Sequence, residues 1–264
     1  MKYYIFLFTI IFYFIAISNS LKTVFAEETK LKKYLCGATI AGGTYFGFHE
    51  AYRFWWKESN GKFKFQNDSS YAKNFDKFGH FYSGKLISDL STSLLYGMEL
   101  PEKKARLYSS ITASVFALIV EIKDGLTNYG FSYFDLLSSA AGAWLPYYQL
   151  NTKSFIKDIQ IKIRYSKSDY KASDNLDFMQ DYEGMKFWVC YPVEKIFNTK
   201  KIKGLNIAAG VGMDRNSHNE RYKSFWLSFD ISPTSLFGIK KTPVTMVILE
   251  NYHFIKAADI RIDK

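Results

Sequence analysis

The sequence predicts an α+β protein, a bundle of about four helices followed by an antiparallel β-rich region. Two observations carry this. From residue 31 to about 150 the apolar residues come in long blocks suited to helices. After Ser154 they alternate with polar ones at a period of two, in short runs separated by polar turns. The change falls near residue 152 without a low-complexity linker, giving a helical domain over 27–152 and a β-rich region over 153–264.

The first 26 residues stand apart from both. Lys2 precedes the uncharged run YIFLFTIIFYFIAI, and Val24-Phe25-Ala26 then leads to Glu27-Glu28. A basic start, a short apolar stretch and a small residue before an acidic one form the pattern of a secretory signal peptide. The run is short for a spanning helix, which needs roughly 20 apolar residues. The expected mature chain is therefore exported, to the periplasm or the outer membrane.

Each helix has its own signals. The first should cover Tyr34 to Trp56, with Gly37, Gly42, Gly43 and Gly47 on a small-residue face. A polar loop follows at 59–70. A second helix should run from Tyr71 to Tyr96 and end at Gly97. Pro101 and Glu102 suit the first turn of a third, because proline is tolerated there and acids favour the N-terminal dipole. That helix should end at Asp124 with Gly125 as its C-cap. Ser132 caps a fourth helix that reaches Leu150. Five alternating runs then read as strands: 159–165, 185–189, 205–211, 225–231 and 244–250. The segment 214–221 is a hairpin loop. Five strands are fewer than the eight a closed membrane barrel needs.

Composition narrows the function classes. The 35 basic and 25 acidic residues give a net charge of +10, spread without a basic helix or arm. Nucleic-acid binding needs a concentrated footprint, so it is not expected. Aromatic residues make up 19% of the chain. That excess fits a protein working with membrane or envelope components, although the accompanying Lys, Ile and Asn also fit an AT-rich genome. No G-x-S-x-G, P-loop or G-x-G-x-x-G occurs. Cys36 and Cys190 fit a disulfide joining the two halves in an oxidising compartment, or two separate thiols.

The chemistry-bearing residues lie on otherwise apolar helices. Asp76 and His80 share one helical face by their spacing of four. Ser110, Ser114, Ala117 and Glu121 form a small-residue stripe ending in a carboxylate, with Asp124 nearby. Asp135, Ser139 and Gly142 form another. Packed together, these stripes would bring an imidazole close to several carboxylates. Three readings stay open. The cluster could hold a divalent metal through His80, Asp76 and Glu121. It could be an acid–base site of a hydrolase or lipid-modifying enzyme using His80 with Asp76, Glu121 and Asp124. It could also be a network that fixes helix register. His49, His218 and His253 are weaker candidates: an interfacial residue, a solvated loop residue and a half-buried one.

D76-K77-x-x-H80, E121-x-x-D124-G125 and S132-x-x-D135 with G142 resemble the YfiM-like family of predicted periplasmic lipoproteins. The same order is similar to that of VanZ-like membrane proteins. Longer family members carry a β-rich extension, which this chain resembles in K162-I-R-Y-S, D181-Y-E-G184 and W226-L-S-F-D230. The resemblance implies an envelope protein whose polar cluster is Asp76, Lys77, His80, Glu121, Asp124, Ser132 and Asp135, and it implies no reaction. Two features depart from the pattern. Ser139 stands where the family has Asn, and Cys36 lacks the box that precedes a lipidated cysteine. The leading expectation is a non-enzymatic structural or interaction component at the periplasmic face of the outer membrane. A lipid- or small-molecule-binding module is a further alternative.

Overall fold

A computed structural model describes residues 61–68, 71–169, 181–199, 201–239, 244–256 and 259–262, with Tyr34, Gly37, Ala38, Gly42, Tyr45, His49, Tyr52 and Trp56 before them. The expected signal peptide over 1–26 and Cys36 lie outside the described residues. So does most of the expected helix 34–56, although Tyr34, Gly37, Ala38, Gly42, Tyr45, His49 and Tyr52 are helical.

Three long helices form the first layer: α1 (Asp76–Gly97), α2 (Glu102–Gly125) and α3 (Tyr133–Asn151). The expected start of α1 at Tyr71 is a separate tight turn over Tyr71–Asn74 with left-handed backbone, so the helix begins at Asp76. Pro101 caps α2 with extended backbone. Ser132 caps α3, its hydroxyl accepting from the Asp135 N–H. Gly125 is not the left-handed cap its position implied; it is the last helical residue of α2. A Cβ there would run into the Phe63 ring, so the glycine is needed for space. Gly84 and Gly142 do the same between helices. A Cβ on Gly84 would strike the Ser139 carbonyl, and one on Gly142 the Phe81 carbonyl. The small stripes thus let α1 and α3 cross almost backbone to backbone.

The sheet is an antiparallel meander in the order β1-β2-β3-β4-β5: β1 (Gln160–Tyr165), β2 (Met185–Pro192), β3 (Leu205–Arg215), β4 (Arg221–Ile231) and β5 (Ile260–Arg261). Phe187 lies opposite both Ile163 and Val211, and Val211 opposite Phe225. Short helices α4 (Val193–Ile196), α5 (Pro233–Phe237) and α6 (Val244–Glu250) link and flank the strands. The segment 244–250 is therefore a helix rather than the last strand. A seven-residue apolar run satisfies either period. Here Val244, Val247 and Asn251 are buried at helical spacing. The fifth strand is instead the two-residue β5.

After α6 the chain crosses the sheet from edge to edge. The Ile163 N–H donates to the Asn251 carbonyl at 3.0 Å, and the His253 N–H to the Ile163 carbonyl at 2.9 Å. The Phe254 N–H donates to Asp230 Oδ1 at 3.0 Å, and the Ile262 N–H to the Phe225 carbonyl at 3.0 Å. One sheet face is enclosed by this strap. It carries Lys162, Arg164, Trp188, Cys190, Asn206, Ser224, Ser228 and Asp230, all buried. Lys162 and Asp230 are both 0% exposed and pair at 2.7 Å. Arg164 pairs with Asp259, and Trp188 stacks on His253 with centroids 4.0 Å apart. Gly210 leaves room for the Trp188 ring, which a Cβ would overlap. The Cys190 thiol is free and buried there.

The opposite face is apolar. At one end Met185, Phe187 and Met213 pack with Phe75, Tyr82 and Ala72 into the core that joins sheet to helices. At the other end Val189, Ile207, Phe225, Leu227 and Phe229 are each about half exposed.

Candidate functional site

The helix crossings bring three polar stretches together at the N-terminal ends of α1 and α3. A fourth arrives from the loop before α1. The Lys64 N–H donates to the Gly125 carbonyl at 2.8 Å, and the Gln66 N–H to the Phe131 carbonyl at 2.8 Å. Phe63, Phe65, Phe131 and Tyr133 pack ring on ring along this pairing. It carries Asp68 to Ser132, whose hydroxyl donates to Asp68 Oδ1 at 2.6 Å.

Lys77 is the hub. Its ammonium lies 2.7 Å from Asp68, 2.9 Å from Asp76 and 2.5 Å from Asp135. Burial alone would lower the lysine's pKa, but the three carboxylates outweigh it and raise it. His80 Nε2 sits 3.4 Å from Asp135 Oδ1, and its Nδ1 lies 3.4 Å from the Ser139 hydroxyl. The order resembles a Ser–His–Asp relay, yet Ser139 is only 6% exposed and both distances are long for hydrogen bonds. Burial, then the Lys77 charge, bring His80 down to about 4, so the imidazole is neutral at pH 7.

The carboxylates divide. Burial pushes Glu121 up to about 8, and the neighbouring acids push the same way against the Ser132 N–H, which donates to Glu121 at 3.1 Å. Burial and then Asp68 push Asp135 up to about 7, with Lys77 opposing. Burial also raises Asp76. Burial would raise Asp68 too, but hydrogen bonds with Asp135, Lys77 and Ser132 hold it below its ordinary value. Two triads have ligand-type atoms within 4.8 Å of one another, His80/Glu121/Asp135 and Asp68/Asp76/Asp135. Asp135 belongs to both.

Of the residues singled out in the sequence, Asp76, Lys77, His80, Glu121, Ser132 and Asp135 meet here. The metal candidates His80, Asp76 and Glu121 do not form one triad, because Asp76 stands with Asp68. Asp124 is near enough to help raise Glu121 but belongs to neither triad. It accepts from Trp56 Nε1 at 2.6 Å, burial pushing it up to about 6. Its carbonyl accepts from the N–H groups of Thr127 and Gly130 and so shapes the turn before α3. Asp68 is the residue the sequence did not single out. His49 is exposed and stacks on Tyr45, and His218 is exposed in the β3–β4 loop. His253 is fully buried rather than half-buried, held by the strap against Trp188.

The architecture defines a class: a helical unit gathered round a His/carboxylate cluster, joined to a strap-closed sheet. Residues 61–151 match the model of a family described as predicted periplasmic lipoprotein (DUF2279). The match covers α1 to α3 and every cluster residue, and it supports an uncharacterised periplasmic family rather than YfiM or VanZ particulars. The protein is exported, to the periplasm or to association with the outer membrane. No curated protein and no solved structure matched the chain.

Proposed function

We propose that the protein is a non-enzymatic structural or interaction component at the periplasmic face of the outer membrane, held there by its own apolar surface. The observation that carries this reading is the sidedness of both layers. On the sheet, ions and amides are enclosed while Phe225, Leu227 and Phe229 face out. Polar-in and apolar-out alternation is the pattern of strands that face lipid. Helix α2 repeats it. Its buried stripe is Ala105, Ser109, Ala113, Ala117 and Glu121, and its exposed stripe is Tyr108, Ile111, Val115, Leu118 and Ile122. Among the described residues α2 is also the one helix long and apolar enough to cross a membrane. Exposed apolar patches of this extent mark interaction or membrane surfaces.

The test is fractionation with carbonate extraction. The mature chain should sediment with the outer membrane and resist extraction. Phe225→Lys/Leu227→Lys/Phe229→Lys should release it, because a lysine on a lipid-facing strand costs up to ~2–4 kcal/mol. Recovery of the wild-type chain from the soluble periplasm would refute the reading.

An acid–base reading has its own specific observation: a neutral His80, its side chain 34% exposed, between Asp135 and Ser139. It requires His80→Ala to leave folding and export intact while removing the phenotype of a deletion strain. A lowered thermal midpoint with the phenotype unchanged would assign His80 to the network alone.

A further inference from the structure

The two polar interiors of this molecule differ in charge. Inside the sheet, Lys162, Arg164 and Lys186 stand against Asp230, Glu250 and Asp259, three cations for three anions. The helical cluster has four carboxylates, Asp68, Asp76, Glu121 and Asp135, and one ammonium, Lys77. Isolated buried carboxylates are too costly to stay charged without a counter-ion. Lys77 does not satisfy the set. Asp76 is 4% exposed, and its Oδ1 has no hydrogen-bond partner, although its carboxylate converges on Asp135. Beside it, the His80 imidazole lies within reach of Glu121 and Asp135 and remains partly open to solvent.

We propose that the cluster is a divalent-metal site, with His80, Glu121 and Asp135 as ligands and Lys77 as the fixed cation that holds Asp135 between the two triads. One imidazole nitrogen and carboxylate oxygens suit zinc, manganese or ferrous iron, whereas magnesium favours an all-oxygen shell with retained waters. A neutral imidazole is the form that ligates. The Ser132 N–H on Glu121 and Lys77 on Asp135 are the outer contacts that orient these ligands.

Equilibrium dialysis of the full mature chain in detergent against Zn²⁺, Mn²⁺ and Mg²⁺, followed by elemental analysis, tests the site. A single stoichiometric ion is expected for Zn²⁺ or Mn²⁺ in preference to Mg²⁺. It should be lost in His80→Ala and in Glu121→Gln, and retained in Asp214→Asn, which alters an acid outside the cluster. No stoichiometric ion in the wild type overturns the proposal. So does an ion that persists in both cluster variants, which would be an adventitious ion only. If either variant fails to fold, X-ray absorption of the zinc-loaded wild type decides. One nitrogen among oxygen donors is expected, and a shell without histidine nitrogen overturns the assignment.

Discussion

Replacing Lys77 by methionine separates a charge hub from a merely packed lysine. The side chain is 15% exposed, and its ammonium bridges Asp68, Asp76 and Asp135. Methionine keeps most of the apolar stem, so the change is mainly the loss of the charge and its donors. Removing one partner of a buried ion pair typically costs ~3–5 kcal/mol, because the remaining charge is left uncompensated. The partly wet edge of the cluster places the expected loss at about 3 kcal/mol at pH 7.5. For a chain of this size that is a fall of roughly 6–12 °C in thermal midpoint. The loss should shrink at pH 5, where carboxylates deprived of their ammonium take up protons. Unfolding is followed by circular dichroism in detergent with a chelator present, so that bound cations do not contribute. Lys195→Met is the control: its 3.6 Å pair with Asp158 lies on a largely exposed side chain, and the change should stay below ~0.5 kcal/mol. A Lys77→Met midpoint equal to that of the control, or a loss of the same size at both pH values, would sink the idea that Lys77 neutralises the cluster.

Metal-free protein should lose stability as pH rises from 6.5 to 8. Glu121, raised to about 8, binds its proton more tightly folded than unfolded, and that contribution disappears as pH passes through the folded value. His80, lowered to about 4, acts in the opposite sense and only below about 6.5. Glu121→Gln should therefore flatten the slope above 6.5, and an unchanged slope in pH-dependent melts would contradict the assignment. Within the sheet, Lys162→Met leaves the buried Asp230 without its partner and should cost ~3–5 kcal/mol, while Lys162→Met/Asp230→Leu should recover most of it. Equal denaturation midpoints for the single and double variants would show that the pair is not coupled.

What was legible in the sequence follows from which interactions are local. Asp76 and His80 are four apart, and Ser132 and Asp135 three apart, so a single helical turn fixes each pair. The Asp135, Ser139 and Gly142 stripe pointed to a close crossing because only small side chains permit one. Asp68 was hidden because nothing in its own segment selects it. Its position depends on the pairing of Phe65 with Phe131, far along the chain. The helix at 244–250 was hidden by length, since two turns of valine, isoleucine and leucine satisfy either period. Alternation in Gln160–Tyr165 separated Lys162 and Arg164 from Ile161 and Ile163, but a period of two cannot say which face is inside.

That last ambiguity bears on the whole molecule. In a soluble protein the large apolar side chains fill the interior and isolated buried ions are rare. Here the most buried positions of α1 include Asp76, Lys85, Ser88 and Thr92, and those of the sheet include Lys162, Asn206 and Asp230. Phe134, Leu137 and Tyr148 on α3 are exposed in the same manner as Phe225 and Phe229 on β4. A polar interior is stable only if its members satisfy one another, and these do so in part: Ser88 Oγ and Thr92 Oγ1 have no hydrogen-bond partner among the described residues, whereas Lys85 is fully engaged. Lys85 donates to Asp89 at 2.7 Å and to Asn251 at 2.8 Å, while Asn251 donates to the Val247 carbonyl at 2.8 Å, tying α1 to α6. An exterior of phenylalanine, leucine and isoleucine is stable only where water is displaced from it. Both conditions would be met at the lipid boundary proposed above, where the protein's polar groups must bond inward because the hydrocarbon offers them nothing. The histidine–carboxylate cluster then follows the same inward logic as the rest of the molecule, and the convergence of His80, Glu121 and Asp135 is what singles it out as the proposed cation site.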